Sequence, residues 1–296
     1  MDIGDWNATT ELNAVYKRAR DLGLETNLAE LEAFGFTIVE PDKLAAGDLF
    51  DRMLPATITA CEEMDAAGAK LSTPLGSNCD YARILYALIS RDEVFGEAAM
   101  HPVALTLGRY LMGASCRLFT TGAFVKRGRA TSTLLHTDTA GTPPPLYPYG
   151  LVCNVSWILT DYTEATGTFA MVPGSHRYCR HPTAVEQPKM MGGPNDDICI
   201  PIIARPGSLV VFNGNTWHGS YPKQDEAFRA HVVTVYCRNY IMQAENFDDV
   251  STTLTERYGD ELLHLLGRDT WQGFKSEGPR VADIASVGRA NFTPSA

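Results

Sequence analysis

His136 and Asp138 stand two residues apart, and they are the pair in this sequence best suited to chemistry. In an extended strand residues i and i+2 point to one face. The pair then offers a ring nitrogen and a carboxylate oxygen side by side. A second imidazole from a distant strand would complete a face of two nitrogens and one oxygen around a metal, leaving three positions open. That donor set suits ferrous iron and O2 chemistry. On its own the pair also looks like a salt bridge at a strand end, so its companions have to decide.

His218 is the companion imidazole. A turn at residues 204–207 leads into an apolar run at 208–212. A second turn at 213–216 follows, and then Trp217-His218-Gly219-Ser220. Eleven residues after His218, Arg229 opens a strand pattern, Ala230-His231-Val232-Val233-Thr234-Val235-Tyr236. A guanidinium fork suits two-point pairing with a carboxylate. In a mostly apolar cavity Arg229 would hold the distal carboxylate of 2-oxoglutarate while the keto-acid end meets the metal. Period two puts His231 on the same face as Arg229.

The elements that must position these residues lie in the second half of the chain. Strand patterns are expected over 116–125, 132–136, 151–159, 168–172, 198–203, 208–212 and 230–238, separated by Gly, Pro, Asn and Asp. Regularly spaced short strands imply a sandwich or barrel. Residues 139–150, rich in Gly and Pro, and residues 181–197 interrupt the pattern as loops, each a candidate lid over the site. Before them the chain reads as mainly helical. Helices are expected over 10–22, over 28–34 with Asn27 as cap, from Asp42 to about 67, over 81–89 and over 102–112, with one strand at 36–39. After 246 helix returns, clearest at 254–266, and the last dozen residues are expected to fray. One domain over 1–296 is therefore expected: a helical part (1–114), a β core (115–240) and a helical tail (241–296).

Composition sets the outer bounds. The chain has 296 residues, 45% hydrophobic and 20% charged, with a formal net charge of −10. These values are ordinary for a soluble globular protein. The acidic balance disfavours nucleic acid and anionic membranes as partners. No apolar run reaches the length of a membrane span, and the start lacks a signal-peptide pattern. Seven scattered cysteines without a CxxC pair suit reduced thiols, hence a cytoplasmic protein. Nothing decides between a monomer and a homodimer.

In order along the chain stand His136-Thr137-Asp138, residues 157–167, Pro173-Gly174-Ser175-His176, Pro206-Gly207-Ser208, Trp217-His218 and Arg229. With residues 31–39 before them, this series resembles the phytanoyl-CoA dioxygenase family over roughly residues 28–240. The resemblance implies a double-stranded β-helix, a jelly-roll variant of the cupin-like kind. It implies iron(II) ligands at His136, Asp138 and His218 and a 2-oxoglutarate anchor at Arg229. It also implies cosubstrate contacts at Trp157 and Leu118. The activity it implies consumes O2 and 2-oxoglutarate, releases succinate and CO2, and oxidises an unactivated C–H bond of a small molecule. Hydroxylation of a secondary metabolite is the default. Desaturation, ring formation, rearrangement, or an acyl-CoA or amino-acid substrate are the alternatives. Asp138 disfavours halogenation, which needs a small residue there.

Two departures from the family stand out. Thr168-Phe169-Ala170-Met171 lacks the polar residue common before the Pro-Gly-Ser-His motif, and the proline-rich stretch after Asp138 is unusual. Other classes stay in view: a jelly-roll metalloenzyme without 2-oxoglutarate, which would not need Arg229, and a non-catalytic binding protein, which would not need an intact triad.

Overall fold

The computed structural model describes residues 8–67, 79–139, 141–196 and 198–268. Two antiparallel sheets face each other, and helices cover the outer face of the larger one. The helical part comprises α1 (Ala8–Asp21), α2 (Glu25–Phe34), α3 (Leu49–Ala66), α4 (Glu93–Ala99) and α5 (Pro102–Met112), and α6 (Thr252–Leu265) joins it from the C-terminal side. Helix α5 shows how these elements are set. His101 accepts a hydrogen bond from Val103 N, Pro102 opens the first turn, and the chain leaves the helix at Gly113 with φ +96°.

The strands are β1 (Phe36–Val39), β2 (Cys79–Leu85), β3 (Arg117–Ala130), β4 (Thr133–His136), β5 (Val152–Ile158), β6 (Phe169–Met171), β7 (Ile200–Pro201), β8 (Leu209–Asn213), β9 (His218–Ser220) and β10 (Arg229–Cys237). The large sheet has the order β1-β8-β5-β10-β3-β2, and the small one β4-β9-β6-β7. This is the two-sheet jelly roll expected from the sequence. Strand alternation gives the large sheet two different faces. Val155, Trp157, Val211, Ala230 and Val232 join the helices in the main core. Ile158, Val210 and Phe212 look inward and meet Met171 and Ile202 of the opposing layer.

Three expectations need correction. Residues 81–89 form no α-helix: β2 runs along the edge of β3, pairing Tyr81 with Arg127 and Leu85 with Ala123, and only a single 3-10 turn follows at Leu88–Ser90. The apolar spacing at 81, 84, 85 and 88 fits a helix, but pairing with a long neighbouring strand overrides local preference. The β core therefore recruits two strands, β1 and β2, from the part read as helical. Asn27 lies inside α2 and does not cap it; its buried amide donates to Thr37 Oγ1 (2.8 Å) and Ile38 O (3.1 Å), tying the helix to β1. α3 begins at Leu49, well after Asp42.

The segment 181–197, whose residue 197 lies outside the described residues, is built into the small sheet. Gln187 lies against β4, accepting from Leu135 N (2.8 Å) and donating to Leu135 O (3.0 Å). Met191 packs with Leu135 and Trp217. The last dozen residues also lie outside the described residues. Among the described residues no helix is long and apolar enough to cross a membrane.

Candidate metal centre

The small sheet brings the two histidines together. β4 and β9 pair antiparallel with His136 opposite His218, and their ring centroids are 4.3 Å apart. Gly219 makes the close approach possible: a Cβ there would run into the Thr133 and Leu134 carbonyl oxygens of β4. Asp138 sits just past the end of β4. Its amide donates to Gly214 O (2.9 Å), fixing it against the turn between β8 and β9.

Hydrogen bonds choose the donor atoms. His136 Nδ1 lies 2.9 Å from Leu134 O, and His218 Nδ1 lies 2.8 Å from Thr216 O. A carbonyl accepts only, so each Nδ1 carries the proton, and each Nε2 keeps a free lone pair. Asp138 Oδ1 lies 3.5 Å from His218 Nε2 and 3.9 Å from His136 Nε2. One ligand atom from each of the three residues falls within 4.8 Å of the others.

Asp138 Oδ2 is already engaged, accepting from Asn154 Nδ2 at 2.6 Å. Partial burial works against its charge, but the two imidazoles and the Asn154 amide outweigh that and hold the carboxyl below its ordinary range. Burial would likewise push His218 down; the facing Asp138 carboxylate and the Thr216 carbonyl overturn it, so the net shift is upward. The donor set, two imidazoles and an ionised carboxylate, fits a divalent first-row metal.

The three residues border a cavity of about 140 Å³ whose other walls come from the large sheet. β5 supplies Asn154 and Ser156, β10 supplies Arg229, His231 and Val233, β3 supplies Phe124 and Lys126, and Phe169 and Phe212 add aromatic surface. Arg229 is only 5% exposed. Its Nη1 donates to Gly167 O, and its guanidinium carbon lies 5.2 Å from the Tyr162 ring centroid. Its buried Nε has no partner among the described residues. A buried cationic donor left unmet costs free energy unless an acceptor fills the space. The site therefore fits an anion as well as a metal.

Trp157 and Leu118 are not on this cavity. Trp157 faces the helices, where its indole lies 5.6 Å from the Phe50 ring and 5.4 Å from the His101 ring, and its Nε1 donates to Thr234 Oγ1. Leu118 is fully buried in the same helix-side core. The reason is parity: on β5 the even positions 154 and 156 face the cavity, so 157 cannot. Asn154 was missed for that reason, and alternation counted back from an inward-facing position would have found it. Ser220, two residues after His218 on β9, also lines the cavity and was legible from the same period of two.

The family model described as phytanoyl-CoA dioxygenase (PhyH) matches residues 77–230, just over half of the chain. The protein named dioxygenase af480 from Aspergillus fumigatus is 25% identical over 229 residues, covering 72% of each chain. Among solved structures, the non-haem α-ketoglutarate-dependent epimerase SnoN of nogalamycin biosynthesis superposes with a TM-score of 0.55. It is 21% identical and covers 74% of this chain and 84% of its own. HygX from Streptomyces hygroscopicus, solved with nickel and 2-oxoglutarate bound, gives 0.58 at 17% identity, covering 78% and 93%. These two likenesses establish the fold. The match over residues 77–230 spans all three clustered residues and Arg229, and on it the chain belongs to the phytanoyl-CoA dioxygenase family of 2-oxoglutarate-dependent non-haem iron oxygenases.

Proposed function

We propose that this oxygenase hydroxylates an unactivated C–H bond of a small organic molecule, with iron(II) held by His136, Asp138 and His218 and 2-oxoglutarate anchored by Arg229. One observation carries the reading. Three donor atoms converge at one side of a small cavity, and a buried guanidinium with an unmet donor stands in another of its walls. When bound, iron and cosubstrate supply the oxidising power, with O2 consumed and succinate and CO2 released.

The chain's own residues do the positioning. The two Nδ1 hydrogen bonds fix each ring so that Nε2 faces the common point. Asn154 occupies one oxygen of Asp138 and turns the other toward the histidines. Arg229 supplies fixed positive charge for a carboxylate. Phe124, Phe169 and Phe212 line the chamber with apolar surface that excludes water. A chamber of about 140 Å³ lies below the roughly 300 Å³ at which drug-sized ligand pockets begin, so it suits the cosubstrate. The substrate then approaches from the open side, where the His136 side chain is 42% exposed against 8% for His218. Residues 141–150 are tied to the turn before β9, where Asn215 donates to the Tyr147 and Tyr149 carbonyls.

A secondary metabolite is the substrate class we favour. SnoN belongs to nogalamycin biosynthesis, and the net charge of −10 disfavours a CoA ester. A reducing cytoplasm suits Cys61, Cys116, Cys153, Cys179, Cys199 and Cys237, all free thiols. The test is anaerobic addition of iron(II) and 2-oxoglutarate, which should raise a visible charge-transfer band, followed by O2-dependent succinate formation. His136→Ala and His218→Ala should lose both while staying folded. Succinate formation at the wild-type rate in either variant would overturn the ligand set.

A further inference from the structure

We propose that His231 is a second hydrogen-bond donor to the distal carboxylate of 2-oxoglutarate, held for that purpose by Tyr162, an inference that rests on Arg229 as the carboxylate anchor. His231 lies two residues from Arg229 on β10, on the same face, and both line the cavity. The imidazole is 4% exposed and clamped on three sides. Phe124 stacks on it at 5.0 Å and 10°, Phe169 meets it edge-on at 5.1 Å, and the Tyr162 hydroxyl bonds Nδ1. Nε2 has no partner among the described residues and belongs to a ring that forms part of the cavity wall.

The clamp fixes the tautomer. Burial pushes His231 well below the ordinary histidine range, helped by Arg229 and Lys126, so the ring is neutral. Burial raises the Tyr162 phenol to about 12, so it keeps its proton. A neutral imidazole has one N–H and one acceptor nitrogen. With Tyr162 donating to Nδ1, the N–H falls on Nε2. The other tautomer would turn a lone pair toward a bound anion, and the rotatable phenol proton lets the favourable one form. Arg229 Nε and His231 Nε2 are then two unmet donors, two strand positions apart, around one small chamber. A carboxylate has two acceptor oxygens and meets both, which a single-acceptor ligand cannot.

The test compares two keto acids on anaerobic iron(II) protein, read by the charge-transfer band: 2-oxoglutarate, and 2-oxopentanoate, which lacks the distal carboxylate. His231→Leu should weaken 2-oxoglutarate about tenfold, the factor that about 1.4 kcal/mol carries, and leave 2-oxopentanoate unchanged. His231→Gln, which keeps an N–H donor, should recover most of the loss. Tyr162→Phe, a smaller change in the core, should weaken 2-oxoglutarate alone. Equal weakening of both keto acids, or of neither, in the folded His231→Leu or Tyr162→Phe protein would overturn the role of His231. A wild-type protein that binds both keto acids equally would instead overturn Arg229 as the anchor.

Discussion

Replacing Asn154 with Ala tests the metal centre at a residue that is not itself a proposed ligand. The Asn154 amide donates to Asp138 Oδ2 at 2.6 Å, while Oδ1 faces both imidazoles. Removing the amide frees the carboxylate to rotate and leaves Oδ2 competing with Oδ1 for the metal. A hydrogen bond to a charged group contributes about 1.5–3 kcal/mol. Asp138 is 27% exposed at its side chain, so water replaces part of the loss and the lower end applies. About 1.5 kcal/mol corresponds to roughly a tenfold change in binding, within the 10–100-fold range typical of residues that orient a metal ligand. Iron(II) or manganese(II) affinity measured by anaerobic titration should therefore fall about tenfold, with the melting temperature of the metal-free protein little changed. Asn154→Asp should fall further, because it sets a like charge against Asp138. Unchanged metal affinity in Asn154→Ala would mean that Asp138 is not held for coordination, and the orienting role would fail.

Three other perturbations probe separate parts of the site. Arg229→Ala should weaken 2-oxoglutarate by at least about 30-fold, since truncating one member of a buried charge pair costs about 2–5 kcal/mol; an unchanged cosubstrate requirement in turnover would remove Arg229 from the site. Gly219→Ala should push β4 off β9 and part the two histidines, because the added Cβ meets backbone oxygens that cannot rotate away. Overpacking of that kind costs about 1–3 kcal/mol, so thermal denaturation should show lower stability and metal titration lower affinity together. The third concerns acid. The neutral, buried His231 resists a proton that the unfolded chain takes up near its ordinary pKa of about 6.5. Between that value and the depressed folded one, the unfolded state binds more protons, so stability falls as pH falls. In the metal-free protein, the drop in melting temperature from pH 7 to about 5.5 should be smaller in His231→Gln than in wild type, and an equal drop would refute the neutral, buried imidazole.

Part of the site was legible through the period of two, which puts Arg229 and His231 on one face of β10. The same period suggested His136 with Asp138, but Asp138 lies past the end of β4 and is placed by its amide bond to Gly214 O instead. Where a family resemblance was carried over without a parity check, it failed: Trp157 sits at an odd position of β5 and packs on helices, and Asn154 takes the place by the ligand. β2 was misread for another reason. Tyr81 and Ile84 favour strand, but the apolar residues at 81, 84, 85 and 88 have helical spacing, and only pairing with the distant β3 decides between the two. The role of Gln187 was also out of reach, since its hydrogen bonds to the β4 backbone join residues 52 positions apart. A side chain that substitutes for a strand partner leaves no local pattern.

The two sheets contribute different walls of the site. The large sheet contributes the Arg229 wall through β10, a nine-residue strand that pairs with β3 and β5 and is buried along its whole length. Its side-chain directions follow from alternation up to the register shift between Val235 and Tyr236, which puts the even-numbered Leu118 on the helix side. The small sheet contributes the His136 and His218 wall from strands of three or four residues, of which β4 falls inside an expected strand and β9 does not. Their geometry is set from outside. Gln187 supports β4, the Gly214 carbonyl fixes the Asp138 amide, and Gly219 permits the close approach. A metal can tolerate such short strands because it cross-links the three ligands once bound. A carboxylate anchor would gain no such help, and Arg229 stands on a nine-residue strand buried along its whole length. Of the two imidazoles His136 is the more exposed, so a substrate would meet the site on that side.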